Sequence, residues 1–522
     1  MLHMTQEQNV RALIRKLLRV RKDIIEKEIA VTERLGDLNE NHRHSASNLV
    51  RYLALRTFNL RNIQPELSNL GISSIGTSER YTLTNLDNIL HLLHLLVGEK
   101  YYGEKLNYQH RTTVFSSWDR LQRNAVSLFG QTSKHTPHIM VTMPSDAAEH
   151  AELVERLLNE GMTVARINCG HDDEEVWLAI IDLVRTTAAR LNKSCKIYMD
   201  LAGPKIRTGP VAVIQKKKKK KNKKPVDYLS LHIGDPLRLY RTPLMGMDAV
   251  YDDQGNLLQP ARIALSLPAI FDDLGIGDAI WFDDGKIGAV VHSLHEDYAL
   301  LKITHAGIKG GRLRAEKGIN LPGTHLNLPS LTDDDLAALP FVAAHADIVG
   351  YSFVRHPEDV HTLRRHLISL GREDIGLVLK IENRTAFKNL PNLLLAGMQH
   401  ASLGVMLARG DLAIEVGWER ISEVQEQILW ICEAAHVPII WATQVLESLA
   451  KRGTASRAEI TDAAMSNRAE CVMLNKGPFI VAAVQMLGDI LNRMYAHQWK
   501  KKETLRKLQV AKDFFRQELV DL

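Results

Sequence analysis

Polar and charged residues follow several short apolar runs of the sequence. The runs end at Arg166 and Asn168, at Asp200, at Lys380 and Glu382, at Gly410 and Asp411, and at Thr443. A single charged residue at the end of a strand is most often only solvated. The repeated placement of acids, bases and hydroxyl groups at the same end of successive runs is harder to explain by solvation, and it predicts one shared site.

The types of these residues indicate a particular chemistry. Glu382 and Asp411 suit a hard divalent cation such as Mg²⁺, which prefers carboxylate oxygens as ligands. Arg166, Arg207 and Lys380 suit the charge of a phosphate group. A glycine before Asp411 allows backbone N–H groups to approach an anion at the start of a helix. Phosphoryl transfer needs this combination, because its catalysis is mostly positioning and charge neutralisation.

Eight apolar runs rich in β-branched residues must position these side chains. They span residues 138–143, 163–169, 195–201, 347–353, 376–383, 403–411, 438–444 and 471–476. Helical patterns separate most of them, and this alternation predicts an α/β fold, a closed parallel (β/α)8 barrel whose strand ends meet at one mouth. An open doubly wound sheet is the alternative, although the G-x-G-x-x-G turn often found there is absent from the sequence.

The third and fourth runs are separated by about 145 residues, far more than a normal crossover needs. This stretch alternates apolar and polar residues and contains Gly and Asp-Gly turns, which predicts a small β domain that acts as a lid. We predict a lid over residues 208–316, and a catalytic barrel over 136–207 and 317–497. We expect a helical N-terminal extension over 1–135 and a C-terminal helix over 498–522.

The N-terminal extension shows apolar residues at helical spacing, with charged residues between them. It carries no residues to which we assign chemistry. His42 and His44 are predicted to lie at the solvated start of a helix rather than in a metal site, because no cysteine or further histidine lies near them in sequence.

Composition excludes several classes of function. The 522 residues are 45% hydrophobic and 24% charged, with a formal net charge of +5. Much of that charge comes from the lysine run at 216–224, which is predicted to be a solvated loop, since it lacks the aromatic residues that nucleic-acid binding uses. The four cysteines form no C-x-x-C pair, which favours reduced thiols. The longest apolar stretch, residues 89–97, is too short for a bilayer, so we expect a cytoplasmic protein without nucleic-acid or membrane partners.

Six segments resemble the signature segments of the pyruvate kinase family, in the order and spacing of that family. They read VLKIENRTAFKNL, VMLARGDLAIEVG, IIWATQVLES, TASRAEITDAA, EKGINLPGTHLNLPSLTDDDL and MDLAGPKIRTG. The resemblance covers roughly residues 138–495, and the series KIEN, ARGDLAIE and ATQ-x-LES is highly specific. It implies a barrel with a lid domain, and a reaction that converts phosphoenolpyruvate and ADP into pyruvate and ATP, the last step of glycolysis.

The resemblance also implies roles for single residues. Lys380 would stabilise the phosphoryl group in flight, and Arg166 would contact it. Glu382 and Asp411 would hold Mg²⁺. The backbone at Gly410 and Asp411 would bind the substrate carboxylate together with Thr443, which also lies where the enolate is protonated. The nucleotide side would be formed by Asn168, His171, Arg207 and Lys317.

Most members of the family bind a monovalent cation, usually K⁺, near the phosphate. The ligands come from an N-x-S-H turn and an Asp-Thr pair, but this chain has Cys169-Gly170 in the turn and Leu201 after Asp200. The position after Gly-Pro, often Glu in K⁺-dependent members, is Lys205, whose ammonium would supply the missing charge. We therefore predict a K⁺-independent enzyme. The alternative is that Lys205 only points into solvent.

Three departures from the family pattern qualify the resemblance. The turn after the first strand reads TMPSDAA instead of T-I-G-P-A-S, and the eighth strand ends in LNKGPF instead of LSGETAKG. These changes affect the nucleotide or lid side. The family's C-terminal effector domain has no counterpart, so we expect no regulation by fructose bisphosphate through it.

The leading hypothesis is an active pyruvate kinase that works as a homo-oligomer. The alternative is a catalytically weak, phosphoenolpyruvate-binding regulatory homologue, which the altered loops favour and the intact Lys380, Glu382 and Asp411 oppose. A related C–C lyase on the same barrel is a third hypothesis, which the lid domain and Lys317 argue against. A nucleic-acid role based on the lysine run comes last.

Overall fold

The computed structural model describes residues 6–36, 38–72, 75–101, 112–132, 136–212, 214–216, 224–494 and 509–518. Most of the predicted solvated lysine run lies outside these residues. The same holds for residues 498–508 and 519–522 of the predicted C-terminal helix. Within the described residues, no helix is both long and apolar enough to cross a bilayer.

The N-terminal region is helical, as predicted. Its helices are α1 (Gln6–Thr32), α2 (Arg43–Leu55), α3 (Ile63–Asn69), α4 (Thr82–Leu96) and α5 (Val114–Phe129). Helices α1, α2 and α4 pack on one another through fully buried side chains such as those of Leu17, Ile24 and Leu49. We call α1 to α4 the helical layer, and its apolar stripes account for its attachment to the rest of the molecule.

Eight parallel strands close into a barrel, which confirms the predicted fold class. They are β1 (His138–Thr142), β2 (Met162–Asn168), β3 (Lys196–Asp200), β4 (Ile348–Tyr351), β5 (Gly376–Ile381), β6 (Leu403–Ala408), β7 (Ile439–Ala442) and β8 (Cys471–Leu474). Strands β4 to β8 are buried at every position, because helices cover their outer face and side chains fill the interior.

Helices surround the barrel. They are α6 (Ala151–Glu160), α7 (Glu174–Arg190), α8 (Asp333–His345), α9 (Pro357–Ser369), α10 (Arg384–Lys388), α11 (Leu390–Gly397), α12 (Arg409–Val416), α13 (Ile421–Ala434), α14 (Glu447–Arg452), α15 (Arg457–Met465) and α16 (Ile480–Met494). A further helix, α17 (Gln509–Glu518), packs against α11 and α2. Side chains of Asp173, Thr332 and Ser456 cap α7, α8 and α15 by accepting backbone N–H bonds.

A β-rich lid separates β3 from β4, as predicted. Its main sheet has the order Ala261–Ala264, Pro236–Tyr240, Tyr298–His305, Ile287–Leu294, Ala279–Phe282 and Ile319–Asn320. Three two-stranded sheets join Tyr228–Leu231 with Gly311–Arg314, Val250–Tyr251 with Leu257–Gln259, and Ile214–Lys216 with Lys224–Val226. The lid has its own apolar core, and its sheet continues past the boundary predicted at residue 316.

Helix α5 closes the end of the barrel opposite the mouth. Leu128 and Phe129 belong to the same buried cluster as side chains from the barrel interior. Gly376 and Gly404 leave the space that Leu128 occupies, since a Cβ at either glycine would lie 2.7 Å or 2.5 Å from a methyl carbon of that leucine. The N-terminal region therefore supplies the floor of the barrel.

The structure corrects the prediction for His42. Its side chain is not solvated, because only 1% of the residue is exposed. The ring lies against the backbone of His400 and Ala401, which precede β6. Just before α2, the backbone N–H of Asn39 donates to the carbonyl of Met398 at 3.0 Å and ties this part of the chain to the barrel. No group of three metal-ligating side chains occurs among the described residues.

Candidate active site

Asp200, the last residue of β3, is the centre of a buried polar network at the mouth. Its carboxylate accepts hydrogen bonds from Arg166 Nε at 3.1 Å and from Lys380 Nζ at 3.0 Å. Arg166 lies two residues before Asn168, the last residue of β2, and its guanidinium also donates to Thr142 Oγ1 at 3.0 Å. Side chains from β2 and β5 thus converge on the carboxylate at the end of β3, and Thr142 of β1 joins the network through Arg166, as the barrel geometry requires.

Lys380 reaches this network from β5 and contacts three oxygen atoms. Its Nζ lies 3.0 Å from Asp200 Oδ2, 3.1 Å from Glu382 Oε1 and 2.7 Å from Ser352 Oγ. The lysine is only 8% exposed, so its charge is sustained by these neighbours rather than by water. The ammonium is held in place from three sides.

Pairing decides the charge state of the network. Burial by itself would raise the pKa of Asp200, but Lys380 and Arg166 outweigh it and lower that pKa below its ordinary value. Burial would likewise lower the pKa of Lys380, but Asp200 and Glu382 raise it above its ordinary value. Asp200, Lys380 and Arg166 are therefore all ionised at neutral pH, and the network holds two fixed cations, Lys380 and Arg166, at the mouth.

Glu382 and Asp411 supply the hard oxygen donors that the sequence predicted for a divalent cation. Burial raises the pKa of Glu382, and the neighbouring Asp411 raises it further. Glu382 Oε2 accepts the backbone N–H of Phe353 at 2.8 Å, which fixes the direction of its carboxylate. Two carboxylates that repel each other in this way fit a divalent cation, because the cation would relieve the repulsion. This donor set suits Mg²⁺.

Thr443 and Gly410 join the loop after β7 to the first turn of α12. The backbone N–H of Gly410 donates to Thr443 Oγ1 at 2.8 Å. Arg409 fixes the same turn by donating to the carbonyl oxygens of Ala442 at 3.1 Å and Thr443 at 2.6 Å. Thr443 has a φ of 65°, a strained value for a β-branched residue, so its hydroxyl is held where an unstrained loop would not put it.

Residues predicted for the nucleotide side fall into two groups. Asn168 and His171 line one cavity of about 270 Å³ at the ends of β1, β2 and β8, where Arg166, predicted to contact the transferred phosphoryl group, also lies. Arg207 and Lys317 lie at the base of the lid, where Arg207 donates to the Glu316 carbonyl at 3.3 Å. Lys317 Nζ lies 3.3 Å from Asp283 Oδ1. The structure does not place these last two side chains among the residues that line the cavity.

Comparison with known proteins decides the family. A model of the family described as pyruvate kinase, barrel domain, matches residues 134–480. The chain belongs to the pyruvate kinase family. A pyruvate kinase from Bacillus licheniformis is 31% identical to it over 354 residues, which cover 66% of this chain and 55% of that protein. One from Staphylococcus epidermidis is 31% identical over 363 residues, which cover 68% and 56% respectively. The chain spans about half the length of the curated relatives it matches.

Lys205, which the sequence analysis assigned to the place of the monovalent cation, lies close to Asp411. Its Nζ lies 3.8 Å from Asp411 Oδ2, and its stem passes over Gly318 at the return from the lid. The side chain is 35% exposed, so it does not point only into solvent. Leu201 follows Asp200 and is buried, with no side-chain oxygen to offer a cation. The ammonium of Lys205, which is covalently part of the chain, therefore lies beside Asp411, one of the two carboxylates predicted to bind Mg²⁺.

Several residues that contact the candidate site were missed by the sequence analysis. Ser352 donates to the Leu201 carbonyl at 2.6 Å as well as contacting Lys380, and Tyr198 Oη lies 3.4 Å from Asp200 Oδ1. Asn320, on the last lid strand, lies 3.4 Å from Asp411 Oδ1. Ser352 and Tyr198 stand in runs already identified as strands, so polar residues inside those runs were the available signal.

Proposed function

We propose that this protein transfers the phosphoryl group of phosphoenolpyruvate to ADP and so forms pyruvate and ATP. The observation that carries the proposal is the buried ammonium of Lys380, held between Asp200 and Glu382 at the same mouth as Arg166. The P–O bond to the enol oxygen breaks, a P–O bond to the terminal ADP oxygen forms, and the enolate takes a proton at carbon. Membership of the pyruvate kinase family supports this assignment.

Each residue of the site has a separate role in the proposed reaction. Lys380 and Arg166 would bind the transferred phosphoryl oxygens and offset the negative charge that spreads over them. Glu382 and Asp411 would hold Mg²⁺, which supplies Lewis-acid stabilisation of substrate oxygens when bound. Backbone N–H groups at the start of α12 would bind the substrate carboxylate. Thr443, whose hydroxyl is fixed beside Gly410, would position the proton donor for the enolate.

We also propose that turnover needs no K⁺, because Lys205 supplies the monovalent charge. The contact of its ammonium with Asp411 supports this, as does the replacement of the usual threonine by Leu201. A protein-bound ammonium differs from a free cation in that it cannot dissociate, so activity would be the same in Na⁺ and K⁺ buffers. Lys205→Glu should lower the rate sharply in Na⁺, with partial recovery in K⁺.

The test is a coupled assay of pyruvate release from phosphoenolpyruvate and ADP, with Mg²⁺ and with or without K⁺. The wild-type protein should be active in both buffers. Lys380→Ala should lose activity by a factor on the order of 10³, because a charge that stabilises the transferring phosphoryl group is gone. Lys388→Ala, at an exposed lysine of α10, is the control and should remain fully active.

Two results would contradict these proposals. Calorimetric binding of phosphoenolpyruvate without any release of pyruvate would favour the regulatory homologue over the enzyme. Full activity of Lys205→Glu in Na⁺ would show that the charge of Lys205 is not needed, while leaving the phosphoryl-transfer proposal intact.

A further inference from the structure

One turn of the lid packs against the helix whose first turn contains Asp411. We call residues 283–285 the lid turn; a Cβ added to its Gly285 would lie 3.0 Å from Cζ2 of Trp418 and 3.5 Å from Cγ1 of Ile414. Ile414 belongs to α12, and Trp418 begins the short 3₁₀ helix that follows it. The barrel helix that carries a proposed metal ligand is therefore in direct contact with the lid.

The backbone of the lid turn is held in an unusual conformation. Asp283, Asp284 and Gly285 have φ values of 51°, 53° and 79°, in the left-handed region that residues other than glycine seldom adopt. Contacts within the lid maintain this conformation: the Asp283 N–H donates to the Gly318 carbonyl at 3.0 Å, and the Asp283 carboxylate lies 3.3 Å from Lys317 Nζ. The lid turn therefore has one defined shape, and its position is tied to that of Lys317.

The lid turn lies beside the two segments through which the chain enters and leaves the lid. Arg207, where the chain enters, pairs with Gly318, where it leaves. The Ile319 N–H also donates to the Ile206 carbonyl at 2.9 Å. Because the chain crosses between barrel and lid at these two segments, a rotation of the lid about them moves the lid turn along α12. A small displacement at Trp418 then corresponds to a larger one at the far end of the lid.

Trp418 has apolar surface left for such a movement. The residue is 50% exposed although the lid turn lies against its ring. Covering apolar surface is favourable, so the ring favours lid positions that bring the lid turn further over it. Gly285 suits this contact, because it has no side chain that would hold the backbone away from the ring.

We propose that Trp418 is a positioning residue, which fixes the angle of the lid over the mouth through its contact with Gly285. The inference rests on the proposed function, in which Lys317, at the base of the lid, faces the nucleotide. Trp418 is assigned no substrate contact in that reaction and acts through the lid turn, whose Asp283 pairs with Lys317. Binding of ADP should therefore depend on Trp418, whereas phosphoenolpyruvate, bound at the start of α12, should depend on it less.

Steady-state kinetics of pyruvate release test the role of the ring. Trp418→Ala should raise KM for ADP by about fivefold to tenfold, because the apolar surface that the lid turn covers is lost. We expect kcat to stay within about threefold and KM for phosphoenolpyruvate within about twofold, since the groups that stabilise the transition state are unchanged. Trp418→Phe retains an aromatic ring and should recover most of the affinity for ADP.

Gly285→Ala examines the other side of the contact. The added methyl group would lie 3.0 Å from the ring and push the lid turn away, so KM for ADP should rise. Alanine at a φ of 79° also strains the backbone. The effect of Gly285→Ala should therefore be smaller, but not absent, in the Trp418→Ala protein, because its steric part needs the ring. Equal effects in both backgrounds would show that the two residues act independently and would contradict the inference.

Fluorescence follows the ring without any need for turnover. Subtracting the emission of the Trp418→Phe protein from that of the wild type isolates the signal of Trp418. Addition of ADP with Mg²⁺ should make this signal less sensitive to quenching by acrylamide, because ADP favours the lid positions that cover the ring. An unchanged signal would overturn the inference, since the ring would then not follow the lid.

Trp118→Ala is the matched control, because Trp118 is an exposed tryptophan on α5, at the end of the barrel opposite the mouth. It should leave both KM values within about twofold of the wild type. An equal rise of KM for ADP in this variant, or no rise in Trp418→Ala, would refute the positioning role. If the protein released no pyruvate but ADP still protected Trp418 from acrylamide, the positioning role would stand and the proposed reaction would fail. The two proposals can thus fail separately.

Discussion

Two buried polar regions of this molecule keep opposite charge states. At the mouth, Arg166, Asp200 and Lys380 are buried and ionised, because each charge has an opposite partner. We call the interface between the helical layer and the barrel the seam, where His42, His400 and His436 are buried. Burial lowers the pKa of His400 to about 4 and that of His436 to about 3, so these rings are neutral.

The difference teaches that burial alone does not decide ionisation; the available partners do. His436 has polar neighbours but no strong anion: its Nδ1 lies 3.1 Å from Ser45 Oγ, and its Nε2 lies 2.9 Å from the Arg80 carbonyl. The cations of Arg120 and Arg80 lower its pKa further, and Glu433 opposes them. The seam holds neutral, packed rings, whereas the mouth holds ionised side chains in opposite-charge pairs.

Asp200→Asn should produce the largest effect, because it removes the negative charge that pairs with both Arg166 and Lys380. Arg166 and Lys380 would stay buried without their carboxylate, which costs about 3–5 kcal/mol in the free energy of unfolding. The rate of pyruvate formation should fall by a factor on the order of 10²–10³. Urea unfolding and the coupled assay measure the two effects.

Asp374→Asn is the control for this change, since the salt bridge between Asp374 and Arg372 lies at the surface. It should alter the free energy of unfolding by less than about 1 kcal/mol. A fully stable and active Asp200→Asn protein would refute the idea that pairing holds the network together.

As the pH falls, protonation at the seam should lower the free energy of unfolding before protonation at the mouth does. The ordinary pKa of histidine is 6.5, and the folded values of His400 and His436 lie far below it, so the unfolded chain binds more protons as pH falls below 6.5. Between pH 7 and pH 5, His436 alone should cost roughly 2 kcal/mol in the free energy of unfolding. The pKa of Asp200 is lowered from 3.8, so its contribution is lost only below about pH 4.

Urea unfolding at pH 7 and pH 5 measures this difference. His436→Gln retains a donor and an acceptor but cannot titrate, so it should lose less stability on acidification than the wild type. His91→Gln, at an exposed histidine of α4, should behave like the wild type. An identical loss in the His436 variant would show that acid acts elsewhere. Glu470 acts in the opposite direction. Burial raises its pKa to about 7, so the folded protein binds this proton more tightly than the unfolded chain and gains stability as the pH falls.

Tyr198→Phe should produce the smallest effect and sharpens the comparison. The variant removes only the hydroxyl that lies 3.4 Å from Asp200 Oδ1, a long hydrogen bond in a site that Arg166 and Lys380 already hold. We expect a loss of roughly 1 kcal/mol in the free energy of unfolding and a decrease of a few fold in kcat. The measurement is kcat at saturating substrates, and a loss as large as that of Asp200→Asn would contradict this ranking.

The barrel and the main charges of the mouth were predictable from local sequence. β-Branched runs mark the strands, and the parallel order brings Asp200 and Lys380 to one rim although 180 residues separate them. The partners of these residues were less predictable. Ser352 and Tyr198 look like ordinary strand residues, and His42 looks solvated until α2 packs on the barrel. Such contacts depend on surfaces distant in sequence, which no local pattern encodes.

The floor formed by α5 has a consequence for dissecting the molecule. Leu128 and Phe129 precede the first strand, yet they fill space that the interior residues of the barrel leave open. A shortened protein that began at β1 would expose a cavity lined by apolar side chains and two glycines. An intact barrel can therefore be isolated only by cutting ahead of Thr113, whose side chain caps α5.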